Sequence, residues 1–302
     1  MKNTKVALWI ESVRPKTLLL AFASPLMGTF LAWSEGEFRW YVFLLAAGTT
    51  LFLQILSNFA NDYGDFINNA DNSDRIGPKR PLQRKEISPG QMRAGIIIAS
   101  LLAMVTGLLL IWFGAGEKNT TIILAYVILG VLSILAAIKY TVGKNPYGYR
   151  GLGDLAVFLF FGLLGVLGTH FLHTGTFNPW HALPASAIGL LCSGVLNLNN
   201  MRDYESDKKA NKKTLVVCLG SQRSKYYHLF LIIGSAILGP LYVLFNYHSA
   251  YQFLFLITFP LFLKNLIAVF HYTDPQELYP ELKRLVAATI VFVVSFGVGH
   301  II

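Results

Sequence analysis

Two short polar runs interrupt an apolar chain, and they repeat the same residue types. The first, Asn58-Phe59-Ala60-Asn61-Asp62-Tyr63-Gly64-Asp65, continues to Asn69; the second is Asn199-Asn200-Met201-Arg202-Asp203-Tyr204-Glu205-Ser206-Asp207. Each holds amides and carboxylates at steps of four: Asn61, Asp65 and Asn69 in one, Asn199, Asp203 and Asp207 in the other. On a helix that spacing places the groups on one face. Each run closes an apolar stretch of membrane-spanning length, and a carboxylate at membrane depth is costly enough to mark a functional site. Two acidic faces turned to one cavity supply the oxygen ligands that a hard cation such as Mg²⁺ takes, above all with phosphate completing its shell.

The surroundings extend that chemistry. The first run leads through Asp71 and Asp74 to Arg75, Lys79 and Arg80. Acids followed by bases suit a metal–diphosphate complex, in which carboxylates hold the metal and guanidinium or ammonium groups meet phosphate oxygens. Asp71 and Asp74 stand equally between that site and a solvated loop, while Arg84, Lys85 and Arg93 read as solvated charges that set topology. Asp203 and Asp207 precede Lys208, Lys209, Lys212 and Lys213, which fit a topology-setting cluster. A third segment, 139–154, is turned by glycines and Pro146. In it Tyr140 and Lys144, four apart, offer a phenol and an ammonium to one anion, and Asp154 either caps a helix or joins the site. Arg14 and Lys16 flank Pro15 at a helix start and either bind phosphate or anchor the helix. No P-loop and no dinucleotide fingerprint occurs.

The elements that must position these groups are set by composition. The 302 residues are 54% hydrophobic and 14% charged, with a mean hydropathy of +0.51. That excludes a disordered chain and argues against a soluble domain. The net charge of +9 resides in loops between apolar spans, a pattern of membrane topology rather than of nucleic-acid binding. Cys192 and Cys218 form no metal spacing and are expected to stay reduced. His170 and His173, with nothing nearby in the sequence to complete a metal site, read as interfacial histidines rather than a ligand pair. The apolar run 6–10 is too short for the core of a signal peptide.

Nine stretches are long enough to cross a bilayer: about 17–33, 41–61, 94–113, 121–140, 154–172, 183–201, 227–246, 250–270 and 284–302. Helices are expected, because lipid satisfies no open backbone group. With the N-terminus in the cytoplasm, 23 of the 25 Lys and Arg residues fall on the cytoplasmic side, Arg39 and Lys118 being the exceptions. The expected fold is an all-α polytopic membrane protein, one domain over 1–302, with nine transmembrane helices around a central cavity. Both polar runs then open on one side, four helices apart. That hints at parallel four-helix units at about 17–140 and 154–270 plus a ninth helix, whereas an inverted repeat would place them on opposite sides. Gly162, Gly165 and Gly168 recur every three residues and predict close packing of the fifth span.

These residues resemble the UbiA-type superfamily of intramembrane prenyltransferases, whose nine helices carry two aspartate-rich motifs, roughly NDxxDxxxD and DxxxD. The first matches Asn61-Asp62-Tyr63-Gly64-Asp65, with Asn69 in place of the final acid and Asp71 or Asp74 as substitutes; the second matches Asp203 to Asp207. The family's YxxxK element matches Tyr140 and Lys144, and its N-terminal arginine matches Arg14. The segments 14–17, 74–78, 146–154 and 200–215 are most similar to the branch that prenylates 1,4-dihydroxy-2-naphthoate in menaquinone synthesis. The resemblance implies Mg²⁺ held by Asp62, Asp65, Asp203 and Asp207 with Asn61, and a polyprenyl diphosphate met by Arg14, Tyr140, Lys144, Arg75 and Lys213. It also implies Asp154 as a proton acceptor or orienting group, and a product released with loss of CO₂. Location in the cytoplasmic (inner) membrane is expected, and the loop charges open the site to the cytoplasm. Other acceptors on this scaffold, such as 4-hydroxybenzoate, or a secondary transporter with ion-coupling carboxylates, are the alternatives.

Overall fold

The computed structural model describes residues 4–68, 70, 79–115 and 120–302. Among them are nine helices of membrane-crossing length and apolarity: α2 (Pro15–Ser34), α3 (Trp40–Ile67), α4 (Pro89–Ala115), α5 (Thr120–Lys139), α6 (Gly153–Thr174), α7 (Pro179–Arg202), α10 (Ser221–Phe245), α11 (Ala250–His271) and α12 (Pro275–Ile301). Three short helices lie at one end of this bundle: α1 (Lys5–Val13), α8 (Tyr204–Lys209) and α9 (Leu215–Leu219). No strand forms among the described residues; Arg150 and Lys213 make one isolated bridge. The nine expected spans are all present, several of them longer than hydropathy alone indicates. The second runs on to Ile67, because Asn58, Asp62 and Asp65 are buried against protein rather than placed in lipid or water.

Local signals set the helix ends. Thr4 caps α1 through its hydroxyl, Pro15 occupies the first turn of α2, and Asp274 with Glu277 forms a reciprocal cap ahead of α12. Arg14, with φ of 54°, turns the chain between α1 and α2. The main core lies where α2, α7, α10, α11 and α12 meet, around Phe255, Phe262, Phe292 and Phe296. The helices bearing the two motifs each pack extensively on the span that follows, α3 on α4 and α7 on α10.

Close approaches replace hydrophobic sorting as the packing device inside a bilayer. A Cβ on Gly162 of α6 would lie 2.7 Å from the Cα of Gly189 in α7, and one on Gly165 would lie 2.7 Å from Ser24 in α2. Gly168 has more room, its nearest neighbour at 3.6 Å. Around these glycines α6 widens into a π-helical turn, Phe158–Leu164. The fourth span, α5, differs from the rest: none of its side chains is buried.

Candidate functional site

A cavity of about 680 Å³ runs through the bundle, within the range of small-molecule sites. Its walls are mostly apolar side chains of α3, α5, α6 and α7, and its polar end gathers Arg14, Asn61, Asp62, Asp65, Arg80, Asn199, Asn200, Arg202 and Lys212. The last turns of α3 and α7 and the first turn of α2 therefore converge. Asn58 fixes that convergence: its amide donates to the Val13 carbonyl at 2.8 Å and to the Thr17 hydroxyl at 2.9 Å.

Asn61, Asp62 and Asp65 all face the cavity from α3. The Asp62 carboxylate is 1% exposed and is paired with Arg14 and, at 2.5 Å, with Arg80. Asp65 accepts from the Tyr149 hydroxyl at 2.8 Å and from the Lys212 ammonium at 3.2 Å, with Arg80 at 3.4 Å. Lys212 also lies 3.8 Å from Asp207, so one ammonium bridges the two acidic motifs. Asp203 is held by its neighbour Arg202 through two hydrogen bonds of 2.8 and 2.6 Å. The Asn61 side-chain oxygen accepts from Thr141 at 3.2 Å.

Charge in the loops follows from this geometry. Burial works against the Lys212 ammonium, but the Asp65 and Asp207 carboxylates outweigh it and hold its pKa above the usual lysine value. Burial, with the Asp65 charge and hydrogen bond, pushes the Tyr149 phenol far above its ordinary value. Burial, with Asp154 nearby, does the same for Tyr140, and Tyr147 is pushed up to about 12 by burial. All three phenols stay protonated donors at neutral pH.

Several expectations are changed. Lys144 is exposed and is not on the cavity wall; Gly143, at φ of 113°, turns the chain after α5 ends, so the helical spacing from Tyr140 does not apply. Tyr140 itself does line the cavity, against Gly148 and Gly153. Lys213 is exposed and Lys212 points inward, because Asn211, at φ of 54°, turns the chain after α8. The acids of the second motif do not share one helix: α7 ends at Arg202, and Asp203 lies between it and α8. Asp154 does not cap α6, whose N-cap is Leu152; it is buried beside Tyr227, off the cavity wall. His170 and His173, near the end of α6, are buried within the protein, at 2% and 0% exposure. Asn69, Asp71, Asp74 and Arg75 lie outside the described residues, as does Lys118.

Tyr149, Arg202 and Lys212 join the site although the sequence did not single them out, and Arg80 joins it as one of the bases following the first acidic run. Their only signal was position: a base after the first acidic run, a tyrosine in the glycine-rich turn, and two bases in or after the second.

The cavity also fits a metal by its donor chemistry. Asn61, Asp62 and Asp65 offer oxygens alone, as hard cations require. The Asp62 Oδ2 atom is buried and has no hydrogen-bond partner among the described residues.

A membrane-embedded helical bundle with paired acidic motifs at the mouth of an apolar chamber is the architecture of intramembrane prenyl transfer. Residues 21–298 match the model of the UbiA prenyltransferase family, and the chain belongs to that family. It is 45% identical to the 1,4-dihydroxy-2-naphthoate octaprenyltransferase of Escherichia coli (strain K12), over 96% of this chain and 94% of that one. It is 41% identical to the enzyme of the same name from Haemophilus influenzae, over 100% and 98%. Among solved structures, a UbiA homolog from Aeropyrum pernix K1 superposes with a TM-score of 0.71 at 16% identity, over 92% of this chain and 97% of that one. One from Archaeoglobus fulgidus bound to GPP and Mg²⁺ gives 0.66 at 17%, over 97% and 99%.

Proposed function

We propose that this prenyltransferase moves a polyprenyl group from polyprenyl diphosphate to 1,4-dihydroxy-2-naphthoate, with loss of CO₂ and dependence on Mg²⁺. The observation that carries the reading is the link between the two acidic motifs, Asp65 on the polar end of an apolar cavity and Asp207 beside it sharing the Lys212 ammonium, in a chain similar over nearly its full length to naphthoate octaprenyltransferases. Proposed ligands for Mg²⁺ are Asp62, Asp65, Asp203 and Asp207 with Asn61; the metal would neutralise the diphosphate and its charge on departure.

The chain's own groups do the rest. Arg14, Arg80 and Lys212 stand at the polar end as cations for diphosphate oxygens, the Tyr140 phenol supplies a neutral donor there, and the Tyr149 phenol steadies Asp65 from behind. Beyond them the apolar walls take the isoprenoid tail and keep water from the electron-poor allylic carbon. The carbon–oxygen bond to diphosphate breaks, and the electron-rich ring forms the new carbon–carbon bond. The ring–carboxylate bond then yields its electron pair to the ring as CO₂ departs, leaving a demethylmenaquinol. Asp154, buried behind Tyr140 near Tyr227, is proposed to hold that phenol's surroundings polar rather than to touch the substrate. The pairing of α3 with α4 and α7 with α10 supports two parallel four-helix units, and the distribution of lysine and arginine supports a site open to the cytoplasm.

Purified protein with Mg²⁺, a long polyprenyl diphosphate and a panel of aromatic acids tests the reading. Naphthoate should disappear with one CO₂ and one diphosphate per product. Efficient prenylation of 4-hydroxybenzoate without turnover of the naphthoate would refute the acceptor. Absence of diphosphate release, with ion-coupled solute uptake instead, would favour a transporter.

A further inference from the structure

At the end of the bundle away from the acidic motifs, two buried histidines and a partly exposed glutamate form a second polar cluster that prenyl transfer does not use. Glu35 follows α2, His170 lies in the last turns of α6, and His181 lies in the first turn of α7. His170 Nε2 is 2.8 Å from Glu35 Oε2, and His181 Nε2 is 3.3 Å from Glu35 Oε1. The two imidazoles are 2% and 1% exposed and meet edge to face, with ring centroids 4.2 Å apart. One ligand atom from each residue lies within 4.8 Å of the other two.

We propose that Glu35, His170 and His181 bind a divalent transition metal of the Zn²⁺ class, clasping α2, α6 and α7 together. Two imidazole nitrogens and a carboxylate are a donor set that suits Zn²⁺ and disfavours Mg²⁺, which seeks oxygen alone. Ligand atoms of a four-coordinate zinc stand about 3.4 Å apart, given bonds of about 2.1 Å. The two contacts to Glu35, at 2.8 and 3.3 Å, both fall short of that spacing by less than 1 Å, so small rotations of the side chains complete it. Glu35 is about one-third exposed, at 34%, which gives a metal an entry path and leaves its fourth position to water. The neighbouring His173 shows the contrast. Its Nε2 is 3.1 Å from the Thr29 hydroxyl and its Nδ1 accepts from the Arg39 backbone at 3.2 Å, so both nitrogens are engaged and it stands outside the clasp. The three proposed ligands come from sequence positions 35, 170 and 181, which no local spacing motif joins. Helix packing alone brings them together.

The test separates a metal clasp from a plain hydrogen-bonded one, and does not depend on the prenyl-transfer reading. Full-length protein carrying Asp62→Asn and Asp65→Asn, to weaken the other cation site, is stripped with chelator and titrated with Zn²⁺ or Co²⁺. One equivalent of Zn²⁺ should remain per chain after gel filtration, and Co²⁺ should give the visible absorption of a four-coordinate site. Excess Mg²⁺ should not displace either. Glu35→Gln keeps an oxygen acceptor for the imidazoles but removes the charged ligand; it and His181→Ala should each weaken Zn²⁺ binding by at least about tenfold. Zn²⁺ should raise the thermal midpoint of the parent and not of the folded Glu35→Gln protein. Substoichiometric Zn²⁺ in the parent, or undiminished binding in Glu35→Gln, overturns the proposal and leaves a hydrogen-bonded cluster.

Discussion

Replacing Lys212 by methionine should make the protein's stability depend on Mg²⁺. Its ammonium lies 3.2 Å from Asp65 and 3.8 Å from Asp207. With an effective dielectric constant of about 20, such contacts correspond to about 5 and about 4 kcal/mol of attraction. Desolvation and the nearby Arg80 offset much of that, so the net cost of removing one partner from a buried cluster should be about 3 kcal/mol. Methionine keeps the volume and removes the charge, leaving two carboxylates to repel. Thermal unfolding of purified Lys212→Met should therefore show a large fall in chelator and a partial recovery in millimolar Mg²⁺. In the Asp65→Asn background the same change should cost less, with a coupling of about 1–3 kcal/mol. The pH dependence has a defined sign. A lysine whose folded pKa is raised contributes fully below its unfolded value, about 10.4, and loses the contribution only as pH rises through the folded value. The difference between wild type and variant should hence be flat between about pH 6 and 9. A variant cost indifferent to Mg²⁺ and additive with Asp65→Asn would refute the bridging role.

Asp65→Ala and Asp203→Ala should remain folded yet lower kcat by about 10²-fold or more, as loss of a charge-stabilising group does; steady-state turnover near wild type in either would sink the ligand assignment. Arg80→Ala, which removes the base shared by Asp62 and Asp65, should raise KM for the prenyl diphosphate by about 10- to 100-fold and leave the acceptor's KM within a few-fold. Equal effects on both substrates would show that Arg80 only supports the fold. Gly64→Ala would place a Cβ 2.6 Å from the Thr141 carbonyl and should lower stability by about 1–3 kcal/mol in thermal unfolding, by forcing α3 away from the turn after α5.

The nine spans were legible because lipid imposes one simple requirement, about 20 apolar residues per crossing, and the described residues meet it nine times. The first motif was legible for a related reason: Asp62 and Asp65 stand at a place where hydropathy forbids them without a function. What sequence could not supply was direction after a helix ends. Lys212 and Lys213 are chemically identical, and only the left-handed turn at Asn211 decides which one enters the cavity. Gly143 likewise removes Lys144 from the register that a continuing helix would have given it. Arg80 and Tyr149 reach Asp65 from loops 15 and 84 residues away, and no periodicity encodes such a meeting. The surroundings of His170 were hidden for the same reason. Its partners, Glu35 and His181, are close in space and not in sequence.

The absence of buried side chains on α5 has a consequence for how turnover must be measured. Tyr126, Leu129, Gly130 and Ser133 of that helix form cavity wall on one side, while Leu124, Ile128 and Leu132 are left open on the other, as lipid-facing side chains are. On this side the chamber is thus separated from the lipid-facing surface by a single helix. A long isoprenoid arriving or departing past that helix never enters water, so the concentration the enzyme senses is a mole fraction within the film, not a molarity in the tube. Adding inert lipid at fixed total substrate should slow the reaction in proportion to the dilution of the film, while adding buffer should leave the isoprenoid dependence unchanged. A rate that follows bulk molarity instead would place the isoprenoid's route on the aqueous side.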